Sequence, residues 1–428
     1  MDTLVKTFKN VDLRKKLLFT MLILIVYRIG SFITVPGINS EVLYATMIDI
    51  SMFGILDALS GGALSNFSIF AMSISPYITA SIVIQLLQMD VVPTLSEWAK
   101  EGETGKRKLN RLTRYFSLIL AFIQSIAMAI GFNFMGGGVL LEFQSFWVFM
   151  YIGTIMTAGT AVLLFLGDQI TVKGIGNGIS MLIIAGIMSR FPAMFGEIRR
   201  LYLTNITWLS VLTAITVIAL MILTIIMVVY LQSATRKLPI QYANRHNSAQ
   251  LSGRKDSFIP FKLNSAGVIP VIFASSFVSI PLTIANFFPG HRWAEIVELI
   301  FDFSRPVGLI LYMALIGLFT FFYAFVQVSP EKIAENLKKQ SSYIPGIRPG
   351  DDTENYISKI LGRVTFIGAL YLMFIAAMPI LLSFIITDLP TSVQIGGTGI
   401  LIVVGVALET AKQISNHNQE KEYRGFIK

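Results

Sequence analysis

The sequence predicts an all-α polytopic membrane protein with ten transmembrane helices. Of its 428 residues, 54% are hydrophobic and only 14% are charged, and most of the charges fall between long apolar runs. Runs of about 20 apolar residues are long enough to cross a bilayer as helices. This composition is typical of an integral membrane protein and not of a soluble protein with a large core.

Ten apolar segments are predicted to span the membrane. They are 17–36, 69–89, 112–132, 147–167, 178–191, 208–232, 266–288, 306–328, 363–386 and 393–411. The first is of spanning length and is followed by no small-residue cleavage site, so we expect a retained span and not a signal peptide. The sequence contains no cysteine, which excludes disulfides, thiol catalysis and Cys-ligated metals.

The distribution of lysine and arginine predicts the orientation of the spans. Of 34 such residues, 28 fall on the side of the N-terminus, five fall on the opposite side, and Arg28 lies within the first span. Loops rich in lysine and arginine stay in the cytoplasm. Both termini and the large basic loops, 233–265 and 329–362, are therefore predicted to be cytoplasmic.

An even division of the spans predicts two inverted five-helix halves around a central pore. With five spans in each half, 1–205 and 206–428, the second half begins on the opposite side of the membrane from the first. This inference rests on counting, because no similarity between the halves is visible in the sequence. The fifth span, 178–191, is only about fourteen residues long, and short or broken spans tend to line a transport path.

The stretch from Gly54 to Leu87 is unusual for a membrane segment. Its second part, from residue 69, is apolar enough to enter a bilayer, whereas its first part contains Asp57 and the pair Gly61 and Gly62. A glycine-broken segment is tolerated at membrane depth only inside protein or beside a water-filled cavity. We therefore expect an internal pathway with a short mobile element in it.

The residue types present disfavour an enzyme. The three histidines lie outside the predicted spans, and no His/Glu cluster has metal-binding spacing, so neither a metal nor a cofactor is predicted. A secondary transporter built on inverted repeats would need a buried coupling carboxylate, and an intramembrane protease would need paired catalytic groups. The spans offer neither, which leaves these two classes as the weaker alternatives.

Aliphatic and small polar residues recur at helical spacing in the predicted spans. Ile78 and Ile82 share one helix face, as do Ile183 and Ile187. By spacing alone, such isoleucines would face lipid or a neighbouring helix, and serines and threonines would only pack helices together. The residue pattern alone therefore favours lipid contact or helix packing over a functional role for these side chains.

Six motifs occur in order along the chain. They are SGGALSNFSIFAMSISPYITASIVIQLL, KEGETGKRK, GIGNGIS, LNSAGVIPVIFASS, YIPGIRPG and IGGTGILIVV. Together they resemble the SecY/Sec61-alpha family, whose bacterial members form the protein-conducting channel of the Sec translocon. The resemblance extends over essentially the whole chain.

The resemblance implies four sets of functional residues. A pore ring would be formed by Ile78, Ile82, Ile183, Ile187, Ile272 and Ile402. A plug of about residues 54–67 would include Leu56, Asp57, Gly61, Gly62, Leu64 and Asn66. A lateral gate would include Thr79, Val83, Gln85, Ser275, Ser276 and Ile280. Docking of a motor or a ribosome would use Arg236, Lys237, Arg245 and Arg348, although the orientation rule alone also explains basic loops.

The resemblance also implies a function and partners. The channel would pass unfolded, signal-bearing polypeptides across the bacterial plasma membrane and release transmembrane segments sideways into lipid. Expected partners are SecE, SecG, the SecA ATPase, the ribosome through contacts of the basic loops with rRNA, preproteins with signal peptides, and anionic lipids. The sequence shows no nucleotide site, so the energy would come from a motor or the ribosome.

Overall fold

The computed structural model describes most of the chain. The described residues are 11–38, 57, 60–89, 91–135, 145–202, 208–242, 257–286, 288, 290–303, 305–385 and 391–425. Helices dominate this part of the chain, as the sequence predicts. Leu56, Arg245 and the outer loop that follows residue 135 lie outside the described residues.

A helix overlaps each of the ten predicted spans. These helices are α1 (Val11–Gly30), α2 (Ser75–Leu87), α4 (Glu103–Met135), α5 (Phe146–Lys173), α6 (Gly178–Tyr202), α7 (Trp208–Ser233), α8 (Ile269–Asn286), α10 (Pro306–Gln327), α12 (Asp351–Ile385) and α13 (Thr391–Gly425). Shorter helices lie between them: α3 (Pro93–Lys100), α9 (Arg292–Phe301) and α11 (Pro330–Lys339).

Six of the described helices are long and apolar enough to cross a membrane. They are α4, α5, α6, α7, α10 and α12. The apolar helices α2 and α8 are shorter, and α1 carries basic residues in its first turns and Arg28 in its last. The count of ten spans is therefore not confirmed, and it remains a prediction.

The second predicted span, 69–89, is helical over only part of its length. Helix α2 has 13 residues, and Pro76 lies in its first turn, where a missing backbone N–H leaves no hydrogen bond unmade. Pro76 therefore begins the helix and does not bend it. The residues before it form consecutive turns, with positive φ at Gly61, Gly62, Phe67 and Ser73.

The fifth span is longer than predicted. Helix α6 has 25 residues and continues through Pro192, so the expectation of a fourteen-residue span was wrong. Beyond this proline, Met194, Ile198 and Tyr202 are buried against α7. This packing offsets the hydrogen bond that a proline removes from a helix.

The described parts of the two large basic loops, 233–242, 257–265 and 329–362, are folded together. Strands β1 (Thr235–Tyr242) and β2 (Ser257–Lys262) pair antiparallel, and β3 (Ser342–Tyr343) pairs with the other edge of β1. The all-α prediction missed this small sheet. A shared apolar core fixes the loops to α11 and α12, and its buried members are Leu238, Phe261, Leu337, Ile344, Ile357, Ile360, Leu361 and Val364.

The largest apolar core lies where helices of both predicted halves meet. It contains buried side chains of α1, α2, α5 and α6 from the first half and of α7, α8, α10, α12 and α13 from the second. A second core joins residues 64–72 to α4 and α5. These two cores position the candidate site.

We predict that Leu238→Ala loosens the folded loops much more than Phe258→Ala. Leu238 is 5% exposed and Phe258 is 46% exposed on the same hairpin. Removing a buried leucine side chain costs about 2–5 kcal/mol, whereas the cation–π contact of Lys237 with Phe258 is worth about 0.5–1 kcal/mol. Limited trypsin digestion of the two variants should show faster cleavage in the first, and equal cleavage rates would contradict the shared core.

Candidate functional site

The six isoleucines of the predicted pore ring are all buried in the largest apolar core. They are Ile78 and Ile82 of α2, Ile183 and Ile187 of α6, Ile272 of α8, and Ile402 of α13. Each is between 3% and 7% exposed. The structure therefore brings together side chains from four helices that are distant in sequence.

Close backbone approach accompanies this cluster at α13. A Cβ atom built on Gly399 would lie 2.8 Å from Cγ2 of Ile187. Glycine at this position thus lets α13 approach α6 closely. A narrow ring of aliphatic side chains excludes water and ions, yet its side chains can rotate to admit a larger object.

The plug segment, residues 54–67, is described at Asp57 and from Ser60 onward. Its described residues form turns, and Gly61 and Gly62 have φ values of 70° and 87°. A Cβ atom on Gly61 would lie 2.7 Å from Cα of Gly186 on α6, and one on Gly62 would come no closer than 3.9 Å to any neighbour. Gly61 therefore packs directly on the backbone of α6, whereas Gly62 does not.

Apolar side chains of the plug segment fill a pocket between α4 and α5. Leu64 and Phe67 are 1% and 0% exposed. The Phe67 ring packs edge-on against Phe132 of α4, with ring centroids 5.8 Å apart. The pocket is completed by Met128, Ala129, Ile152 and Met156.

Backbone carbonyls of the plug segment accept hydrogen bonds from α1 and α6. The Tyr27 hydroxyl donates to the Ser60 carbonyl at 2.9 Å, and Ser189 Oγ donates to the Gly61 carbonyl at 3.2 Å. The Arg28 guanidinium also donates to the Gly61 carbonyl. At the far end of the segment, Asn66 Nδ2 lies 3.4 Å from the Ser31 carbonyl oxygen.

Asp57 is a buried carboxylate with two kinds of partner. It is 5% exposed and forms an ion pair with Arg190 of α6. Its Oδ1 also accepts hydrogen bonds from the backbone N–H of Ser65 at 2.8 Å and from Ser65 Oγ at 2.9 Å. Asp57 therefore ties the plug segment to α6 and also folds the segment onto itself.

Sequence reasoning missed the roles of Arg28 and Arg190. In the sequence, Arg190 is one of the five basic residues on the side opposite the N-terminus, and Arg28 is a single charge within a span. The available signal was Asp57, because a carboxylate at membrane depth requires a compensating charge or donor.

A cavity of about 190 Å³ lies beside the plug between α2, α4 and α8. Its lining includes Leu64 of the plug, Ile78 of α2, and Ser276 and Ile280 of α8. Two predicted gate residues, Ser276 and Ile280, thus border an apolar space that also reaches the plug and the pore ring.

The other predicted gate residues are not among those that line this cavity. Thr79 Oγ1 and Ser275 Oγ donate to carbonyls of their own helices, at 3.2 Å and 2.8 Å. Gln85 donates to Ser81 Oγ at 2.9 Å, and Val83 is half-buried on α2. Because the hydroxyls of Thr79 and Ser275 donate within their own helices, they need no hydrogen-bond partner between α2 and α8.

The predicted docking residues lie on the folded loops. Arg236 and Lys237 belong to β1, and Lys237 Nζ lies 4.7 Å from the centroid of the Phe258 ring. Arg348 is exposed in a turn, and its carbonyl accepts a 2.7 Å hydrogen bond from Thr353 Oγ1. That bond fixes the backbone of the turn while leaving the guanidinium available.

Solved structures of protein-conducting channels share this fold. A structure of a protein-conducting channel aligns with a TM-score of 0.64 over 95% of this chain and 93% of that chain, at 17% identity. Sec61 in the canine ribosome–channel complex aligns with a TM-score of 0.61 over the same shares, also at 17% identity.

Sequence comparison gives a more specific result. The SecY family model matches residues 68–411. The protein translocase subunit SecY of Halalkalibacterium halodurans is 51% identical over 435 residues, covering 100% of this chain and 99% of the relative. SecY of Bacillus licheniformis is 48% identical over 421 residues, covering 97% of each chain. On this similarity across nearly its whole length, the chain belongs to the SecY family.

Proposed function

We propose that this chain is the channel through which unfolded, signal-bearing polypeptides cross the bacterial plasma membrane. One observation carries the proposal: the six isoleucines lie buried in one apolar core, and Ala63 of the adjoining plug segment is buried in the same core. An aliphatic ring resists ions when closed and can yield to a passing chain. Its relatives are named protein translocase subunits, which supports the same function.

The proposed architecture has ten spans in two inverted halves, 1–205 and 206–428, with both termini in the cytoplasm. The bias of 28 basic residues to five supports this orientation. The pore ring would lie at the junction of the two halves, because α2 and α6 belong to the first half and α8 and α13 to the second.

The proposed exit into lipid lies between α2 and α8. Its residues would be Thr79, Val83 and Gln85 on the first helix and Ser275, Ser276 and Ile280 on the second. The cavity at this seam supports the proposal, because a seam that is incompletely packed loses little dispersion energy when its helices part. A transmembrane segment leaving the pore would pass through it.

Energy and docking would come from partners. We propose that Arg236, Lys237, Arg245 and Arg348 contact the SecA ATPase or the rRNA of a ribosome, and that SecE and SecG complete the channel. A Sec61 relative in fold is solved within a ribosome–channel complex, which supports the ribosome as a partner. The basic loops would also attract anionic lipids of the inner leaflet.

The function and its exit are tested together by a disulfide across the seam. The chain has no cysteine, so Val83→Cys and Ile280→Cys introduce the only thiols. A disulfide requires Cα atoms about 4.4–6.8 Å apart, so it would hold the helices in the closed arrangement. In proteoliposomes with SecE and SecA, the oxidised channel should stop exporting a signal-bearing preprotein, and reductant should restore export.

A long bismaleimide bridge between the same cysteines is the control, because it permits the helices to separate. It should inhibit export much less than the disulfide does. Full disulfide formation with unchanged export would show that these helices are not the gate. A reduced channel that exports nothing would contradict the proposed function itself.

The plug is tested by comparing Gly61→Ala with Gly62→Ala. Both glycines have positive φ, so each substitution imposes a similar backbone strain of roughly 1–2 kcal/mol. Only the Cβ atom at 61 collides with α6, 2.7 Å from Cα of Gly186. We therefore expect Gly61→Ala to lift the plug and raise resting ion conductance in planar bilayers, and Gly62→Ala to leave it near the wild-type level. Equal conductance in the two variants would contradict the seating of Gly61 on α6.

A further inference from the structure

We propose that Arg190 is the positioning residue of the plug, and that the ion pair it forms with Asp57 is a latch released separately from the parting of the two halves. This inference rests on the proposed function, because it assumes that the plug closes the pore. It adds a defined contact that holds the plug and a separate step in opening.

Because Asp57 is buried, its negative charge needs Arg190 as a partner. The Asp57 side chain is 6% exposed and the Arg190 side chain is 39% exposed. If Arg190 is removed, the carboxylate stays in a dry site with only Ser65 as a donor. A buried charge without its partner strongly destabilises its site, so the plug would move to hydrate Asp57.

The position of Arg190 suits a latch and not a general structural role. Its guanidinium lies beside Gly62 of the plug, and its Nε is buried without a hydrogen-bond partner among the described residues. The partly exposed guanidinium remains accessible to water when the plug leaves. Release thus costs less at Arg190 than at a fully buried cation.

The polar contacts described for the plug segment come from one half of the molecule, whereas Ala63 is buried in the apolar core that both halves share. The polar partners Tyr27 and Arg28 lie on α1, and Ser189 and Arg190 lie on α6. The pocket of Leu64 and Phe67 is built by α4 and α5. All four helices belong to residues 1–205.

The proposed gate seam lies elsewhere, between α2 and α8. Parting the halves at this seam leaves the Asp57–Arg190 pair and the Phe67–Phe132 contact unbroken, because both lie within the first half, although Leu64 also lines the cavity at the seam. Release of the plug therefore requires a further event, the breaking of the latch. Gate opening and plug release become two steps with separate energies.

The first experiment measures the resting ion conductance of the complete channel in planar bilayers. Arg190→Met should raise conductance at least about tenfold, because Asp57 is left unpaired. Arg190→Lys should restore most of the closure. Arg114→Met is the matched control, because it breaks a 2.7 Å ion pair with Asp168 between α4 and α5 that does not involve the plug. It should leave conductance unchanged.

A double variant separates the latch from a structural role. Replacing both partners of a buried ion pair harms a protein less than removing one. Asp57→Asn combined with Arg190→Met should therefore leak less than Arg190→Met alone. The proposal would be overturned if the increase in conductance of the double variant equalled the sum of the increases of the two single variants. It would also be overturned if Arg114→Met raised conductance as much as Arg190→Met. If Arg190→Met does not assemble, the same conductance measurement is made on Asp57→Asn, because this substitution preserves the shape of the side chain.

Two further arms complete the test. Deleting residues 57–66 should give the highest resting ion conductance. If the deletion leaves the conductance low, the proposed plug is contradicted. If the deletion raises the conductance but Arg190→Met does not, only the latch is contradicted. Arg190→Met should also leak when the 83–280 disulfide holds the gate shut. If this disulfide abolishes the leak, plug release depends on gate opening, and the proposal of two separate steps is overturned.

Discussion

The proposed closed state depends on one buried carboxylate. Asp57 is buried, and its charge is balanced by Arg190 of α6 and by two donors of Ser65. Because each alternative position of the plug must either hydrate this charge or pair it again, one arrangement is favoured over the others. The glycine contact at residue 61 then sets how closely the segment lies on α6.

The two proposed closures of the pore would use different physical interactions. The isoleucines pack without directional bonds, so a ring of them could open and re-form around chains of many sequences. The plug segment is held by directional contacts to α1 and α6, which define one resting position. A non-specific ring together with a specific plug suits a channel that must accept varied polypeptides and remain tight between them.

The sequence predicted the helical segments and, through the resemblance, the six isoleucines that the structure brings together. It did not predict Arg28 and Arg190 as contacts of the plug, because partners 33 residues apart (Arg28 and Gly61) or 133 apart (Arg190 and Asp57) leave no local pattern. The predicted fifth span ended at residue 191, whereas packing on α7, which the sequence does not show, continues α6 to Tyr202. The loop sheet was missed because its strands are short and paired across the chain.

The central claim is that the plug segment seals the resting channel and leaves its seat when a polypeptide passes. It is tested most directly by Leu64→Cys, which introduces a single thiol at a side chain that is 1% exposed. A membrane-impermeant maleimide added from outside should label the idle channel slowly and should label a channel jammed with a preprotein rapidly. Equal labelling rates in the idle and jammed states would contradict a plug that moves.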